Sequence, residues 1–263
     1  MPRRIVTNTL RGFYDSVFSP GRLVSTRQTQ RTGSVRHQLG QLWSLTVVYA
    51  LNLVTYAGPL TAAGFGVESA PPMPAWFASG AGALGAPVVW TYAYAFTLNS
   101  LYLLAGTVLT LVTFHVVVVL ARQSRGFLRT AYAVSYSTSA YLGMIFTVAW
   151  LLSTYPGVDA AERLVVDAQK AFIYRVIDAL GASVELPSGR PGPVDFGTLS
   201  GDGQVLLAAL LVLVGYYLYS LYLASRLNHE TDRITGLLVV GAVAISPVVY
   251  VAGSVLAYTT GLL

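Results

Sequence analysis

The sequence lacks cysteine and has few charged residues. Asp, Glu, Lys and Arg make up 10% of the 263 residues, whereas an average soluble domain has about 25%. Without cysteine, disulfide bonds, thiolate nucleophiles, cysteine-bound zinc and iron–sulfur clusters are excluded. Because 54% of the residues are hydrophobic, an ordinary water-soluble globule is excluded as well.

Common catalytic motifs are missing too. The chain has no Gly-x-x-x-x-Gly-Lys-Ser/Thr phosphate loop, no Gly-x-Ser-x-Gly elbow and no His-Glu-x-x-His zinc helix. We therefore expect a protein that is not an enzyme, binds no cofactor or metal and has no nucleic-acid partner.

What the chain has instead is apolar blocks of about twenty residues, the length that crosses a hydrocarbon core about 30 Å thick. They predict an all-α, polytopic protein of the cell membrane, surrounded by the lipid bilayer. The five predicted spans are about 42–59, 98–121, 130–152, 204–227 and 234–262.

One apolar run, residues 86–121, is longer than a bilayer needs. We expect a break at Asn99–Ser100, with the preceding part forming a surface or re-entrant segment at the end of an outer loop over 67–97. In the last span, Pro247 should produce a kink that neighbouring helices can accommodate.

The second outer loop, residues 157–203, contains a predicted amphipathic helix. Asp159-Ala-Ala-Glu162 is a carboxylate version of a capping box, which predicts the helix start, and Gly181 predicts its end. The spacing predicts an apolar face made of Val165, Ala168, Phe172, Val176 and Leu180.

The first 41 residues contain seven arginines and one acid. No apolar segment typical of a signal peptide follows the arginines, so this segment is expected to remain on the mature protein. A short amphipathic helix is predicted in it, lying either in the headgroup region of an anionic leaflet or against the cytosolic face of the protein itself. Its apolar face would contain Leu10, Phe13, Tyr14, Val17 and Phe18.

The distribution of charge predicts the orientation. The N-terminal segment and the turns after the second and fourth spans contain 12 of the 16 basic residues and 3 of the 11 acids. Basic residues next to spans collect on the cytosolic side. The N-terminus is therefore expected in the cytosol and the C-terminus outside.

Apart from Arg226 at the end of the fourth span, His115 is the only Asp, Glu, His, Lys or Arg predicted inside a span, and the third span is rich in hydroxyl groups. Two interpretations remain open for them: hydrogen bonding between helices, or a pathway for protons or solutes. The candidate intramembrane polar site consists of His115, Tyr132, Ser135, Tyr136 and Ser139.

The turn His229-Glu230-Thr231-Asp232 carries an imidazole and two carboxylates. They suit either a hard metal or a proton, or they belong to a solvated turn with Asp232 near a helix N-terminus. The candidate cytosolic contact surface consists of Arg11, Arg22, Arg122, Arg125, Arg129 and His229.

Four segments, in this order along the chain, resemble motifs of the Yip family of five-span, Rab-interacting-protein-like membrane proteins, in its prokaryotic branch. One precedes the first span, one ends the second, one enters the third and one turns into the last. They are Phe18-Ser-Pro-Gly-Arg-Leu23, Phe114-His115 with the turn 122–126, Phe127 to Ser137 with its Tyr136-Ser137 pair, and Leu227-Asn228-His229 before Gly236-Leu-Leu238.

The resemblance implies a non-enzymatic membrane protein that works by associating with other proteins. We therefore expect a scaffold, adaptor or complex subunit with a membrane-protein partner or a second copy of itself. The alternative is a channel or carrier for protons or small solutes, which would use His115 and the polar face of the third span.

Overall fold

The structure is a computed structural model. It describes Arg11, Tyr14, Trp43 and residues 47, 48, 50, 56–58, 60–62, 66–80, 85–185, 189–192, 197 and 199–261. Most of the predicted first span and of the N-terminal amphipathic helix, and Arg22 with them, therefore lie outside the described residues. The described regular structure is helical, without a strand. The helices from residue 75 onwards are α1 Ala75–Gly80, α2 Ala86–Leu120, α3 Phe127–Thr154, α4 Asp159–Ala179, α5 Gly201–Asn228 and α6 Arg233–Thr259.

Three of these helices, α2, α5 and α6, are long and apolar enough to cross a membrane. Helix α3 has 28 residues and packs mainly along α5. Helices α2, α3, α5 and α6 share a core built around Phe114, Val134, Leu221 and Val239. The prediction of an all-α protein with apolar helices of membrane-spanning length is thus confirmed.

Helix α2 is continuous over 35 residues, so the predicted break at Asn99–Ser100 is wrong. The buried Asn99 amide donates a hydrogen bond to the Thr61 hydroxyl at 3.0 Å, and the Ser100 hydroxyl donates to the Phe96 carbonyl at 2.7 Å. Both polar side chains are satisfied without opening the helix, and the segment before Asn99 is part of α2 rather than of a loop.

Helix α4 packs near the ends of α3, α5 and α6 that lie away from the α2–α3 turn. Val158 and Ala161 contact Leu152 of α3 and the first turns of α5, while Tyr174 and Ile177 contact Val255 of α6. The helix spans the predicted segment, but the predicted cap is wrong. Val158 is the N-cap and makes no side-chain cap bond, so that Asp159 and Glu162 lie in the first turn.

The predicted apolar face of α4 is only partly correct. Val165 and Val176 lie toward the bundle, whereas Ala168, Phe172 and Leu180 are exposed. Tyr174 and Ile177 are the large buried side chains instead. Helix α4 contacts the bundle in two separate places, one near each of its ends.

Pro247 lies inside α6. A proline has no N–H to donate to the carbonyl four residues earlier, and here that carbonyl belongs to Val243. The hydroxyl of the buried Ser246 donates to it at 2.7 Å instead. The side chain next to the proline therefore satisfies the carbonyl group that the proline cannot, and α6 continues.

Candidate functional site: the junction of two helix turns

The turn between α2 and α3 meets the turn between α5 and α6, and we call residues 121–130 and 228–232 together the junction. Gln123 and Asp232 form a reciprocal pair within it. The Gln123 amide donates to Asp232 Oδ2 at 3.2 Å, and the Asp232 backbone N–H donates to Gln123 Oε1 at 3.0 Å. Since these residues come from different helix pairs, the bonds connect α2–α3 to α5–α6.

Two arginines strengthen the junction. The Arg125 guanidinium forms an ion pair with Glu230, and Arg129 donates to the Asn228 carbonyl at 2.9 Å. That carbonyl is in the last turn of α5, where the helix leaves its carbonyl groups without partners. Both arginines therefore bind groups of the facing turn.

The backbone of each turn contains one non-glycine residue with a positive φ. Arg122 has φ 57° and Glu230 has φ 56°. Such a conformation is costly for a residue other than glycine, by about 1 to 3 kcal/mol. At Arg122 it allows the Gln123 N–H to reach the Val118 carbonyl at 2.9 Å, which closes the end of α2.

At the centre of the junction, the Thr130 hydroxyl joins two imidazole rings. Thr130 Oγ1 lies 3.0 Å from His115 Nδ1 and 3.0 Å from His229 Nε2. The other ring nitrogen of His229, Nδ1, accepts the Arg125 backbone N–H at 3.0 Å. His115, predicted in the intramembrane polar site, and His229, predicted on the cytosolic contact surface, are thus part of one hydrogen-bonded chain.

The hydrogen-bond partners fix the direction of this chain. Because His229 Nδ1 accepts a bond, neutral His229 carries its proton on Nε2 and donates it to Thr130. The single hydroxyl proton of Thr130 is then free to be donated to His115 Nδ1. The Thr130 hydroxyl thus accepts one bond and donates one, and the other end of the chain is the backbone N–H of Arg125.

His229 is 1% exposed, so its predicted place on a solvated contact surface is wrong. Phe114 covers one side of it, with ring centroids 5.9 Å apart. Burial, and next the nearby His115, Arg129 and Arg125, lower the pKa of His229 to about 4. The imidazole is therefore neutral at physiological pH and serves as a structural hydrogen-bonding group.

Asp232 is the N-cap of α6, as its predicted position near a helix N-terminus requires. Its carboxylate accepts the Thr235 N–H at 2.7 Å. This bond, and next the bond from Gln123, hold the pKa of Asp232 below its usual value. Within the described part of the chain, no three His, Cys, Asp or Glu side chains are grouped to hold a metal ion.

The remaining arginines of the predicted contact surface differ in their surroundings. Arg122 is exposed in the junction, and Arg233, the first residue of α6, is also exposed. Arg11 is exposed and helical. Arg22 lies outside the described residues.

The predicted intramembrane polar site extends along α3 beyond Thr130. Tyr132 and Tyr136 stack on each other with their ring centroids 5.9 Å apart, and Tyr136 is buried. Ser135 is half-buried, and the Ser139 side chain is outside the described set. Of the residues near His115, the one that bonds to it is Thr130, which the sequence analysis did not single out.

Farther along α3, hydroxyl groups connect this helix to α5. Ser137 Oγ and Ser220 Oγ are 2.7 Å apart and buried, and Thr138 Oγ1 lies 3.4 Å from the Tyr217 hydroxyl. These contacts match the interpretation of the α3 hydroxyls as interhelical hydrogen bonds. The Tyr141 hydroxyl and Thr107 Oγ1 are exceptions, because they are buried without a hydrogen-bond partner among the described residues.

In comparisons with known proteins, no family model matches this chain, and no curated protein or solved structure does. The resemblance to the Yip family stays a prediction.

Proposed function

We propose that this chain is a non-enzymatic, five-span membrane protein that acts as a scaffold or adaptor, with its N-terminal segment and the junction on the cytosolic side. The spans would be α2, α3, α5 and α6, together with one over residues 42–59. The three apolar helices support the membrane setting. The resemblance to the Yip family supports a function through association with other proteins.

The observation that carries this proposal is the cross-linked, basic junction. Hydrogen bonds and one ion pair connect its two turns, while Arg122 within the junction and Arg233 directly after it in the chain are exposed. A surface held rigid before binding loses less conformational freedom when a partner binds. Exposed guanidinium groups on such a surface fit a partner with carboxylates in the corresponding positions.

The test is purification of the tagged, full-length protein from its native membrane in mild detergent, with quantitative mass spectrometry of what stays bound. We expect a stoichiometric companion that is lost in the double variant Arg122→Gln/Arg233→Gln. The matched control is Arg163→Gln/Arg175→Gln, which removes the same charge from exposed positions of α4. A solitary protein, or equal loss in both variants, would count against an adaptor that docks through the junction.

A second candidate is a pathway for protons or small solutes. It is supported by the half-buried His115, which is joined through Thr130 to His229. It ranks second because the chain of hydrogen bonds ends at a backbone N–H, which passes no proton on. Proton or solute flux in proteoliposomes that disappears in His115→Phe would favour this candidate. Proteoliposomes that are impermeable to protons and to every solute of a wide panel would exclude it.

A further inference from the structure

The Tyr141 hydroxyl lies in the interior of the bundle at the middle of α3. The residue is 1% exposed, and its ring packs against Tyr216 and Tyr217 of α5, with ring centroids 5.5 and 5.7 Å away. Tyr141 is fourteen residues beyond the start of α3, or about 21 Å along the helix at 1.5 Å per residue. Bulk solvent therefore does not reach this hydroxyl.

No described donor or acceptor completes a hydrogen bond with the Tyr141 hydroxyl. The Ser220 hydroxyl lies close to it, but no bond of normal length and angle joins the two groups. Ser220 is bonded to Ser137 at 2.7 Å instead. A phenol hydroxyl is seldom buried without a partner, since both desolvation and the lost bond are unfavourable.

The hydroxyl protons around Tyr141 indicate what kind of group would satisfy them. Tyr141, Ser137 and Ser220 contribute three O–H donors, and the bond between the two serines uses only one of them. A ligand that satisfies the others must accept hydrogen bonds and also be small. Water accepts two hydrogen bonds and donates two, and buried water typically makes about three.

We infer that a water molecule is bound inside the bundle by the hydroxyl groups of Tyr141, Ser137 and Ser220. The water accepts the Tyr141 proton and connects the tyrosine to the serine pair, so that α3 and α5 share a hydrogen-bonded site at mid-length. This site depends on neither of the proposed functions, because it follows from the donor groups alone.

Radiolytic hydroxyl-radical labelling of the full-length protein in lipid nanodiscs tests this inference. Radicals formed from a bound water react with the side chain beside it, even when bulk solvent has no access. Tyr136 is the matched control, since it is a tyrosine of the same helix and is 0% exposed. We expect Tyr141 to be labelled several-fold faster than Tyr136. If both tyrosines are labelled only at the background rate, the inferred water site is rejected.

A variant gives a second, independent readout. If the Tyr141 hydroxyl has no partner, Tyr141→Phe removes an unsatisfied donor and raises the Tm. If the hydroxyl binds water, the same change leaves the water one bond short and lowers the Tm. The inferred site therefore requires fast labelling of Tyr141 and a lowered Tm in Tyr141→Phe, and failure of either requirement rejects it.

Discussion

Gln123 and Asp232 are 109 positions apart in the chain and exchange two hydrogen bonds. Each residue also serves its own helix pair, since Gln123 follows the closed end of α2 and Asp232 caps α6. The contact therefore connects two helix ends, each of which is already closed or capped by hydrogen bonds of its own. It fixes how the helix pairs sit against each other.

The bridging hydroxyl of Thr130 should contribute more to the free energy of unfolding than the other hydroxyls of α3. Thr130→Val leaves the buried His229 Nε2 proton without an acceptor, and we expect the free energy of unfolding to fall by about 1 to 3 kcal/mol. Thr138→Val is the control, because its contact with Tyr217 is long, at 3.4 Å. Denaturation in detergent measures both, and equal losses would contradict the bridge.

Stability should decline between pH 6.5 and 4. The pKa of His229 is about 4 in the folded protein and 6.5 when unperturbed, so the unfolded state binds more protons in this interval and the free energy of unfolding falls as the pH falls. His115, Arg125 and Arg129 face the ring and oppose its protonation. Thermal unfolding at a series of pH values measures the decline.

Two variants separate this effect from titration elsewhere. In His229→Gln, the decline between pH 6.5 and 4 should largely disappear. In Asp178→Asn it should persist, since the Arg190 guanidinium holds the pKa of Asp178 below its ordinary value of 3.8. A decline of the same size in His229→Gln would assign it to another group.

Gly236 should tolerate no side chain. A Cβ atom at this position would lie 2.8 Å from the Tyr222 ring and 3.2 Å from Arg226 Cδ, so Gly236→Ala pushes α5 and α6 apart at the junction. We expect a loss of about 1 to 3 kcal/mol in unfolding free energy. Gly241→Ala is the control on the same helix, because a Cβ there has open space, and it should be neutral or stabilising.

Asn99 should stabilise the protein although it lies within an apolar helix. Asn99→Ala removes the bond that the buried Thr61 hydroxyl accepts, while that hydroxyl still donates to the Ala57 carbonyl at 2.7 Å, so we expect a loss of about 1 kcal/mol in the free energy of unfolding. Ser100→Ala removes only a bond to the carbonyl one turn earlier and should change little. The same chemical unfolding assay measures both variants. Equal losses of unfolding free energy in Asn99→Ala and Ser100→Ala would show that the Asn99–Thr61 bond contributes nothing.

The helices could be predicted where the signal was local. Hydrophobic length predicted α2, α5 and α6, and Gly181 marked the segment where α4 ends. Asn99–Ser100 was misjudged because a polar pair in an apolar run indicates a break only if its groups lack partners, and Thr61 lies 38 residues away. No local pattern indicates that distant bond.

The candidate site was harder to predict than the helices. His115 and His229 were both singled out by residue type, but one in the intramembrane polar site and the other on the cytosolic contact surface. Their connection through Thr130 depends on how two turns about 100 residues apart meet, and sequence spacing contains no information on this. Thr130 and Gln123 were missed for the same reason, since single threonines and glutamines are common in helix turns.

The separation of the two halves of the junction also has a consequence for biosynthesis. The ribosome adds roughly 5 to 20 residues per second, so Gln123 and the Arg125 amide emerge several seconds before Asp232 and His229 exist. During that interval the turn after α2 must satisfy its polar groups with water or with a chaperone. The two helix pairs can therefore form the junction only once the turn after α5 has been synthesised. If translation stalls before that point, the bundle is incomplete and the polar groups of the first turn remain without their partners.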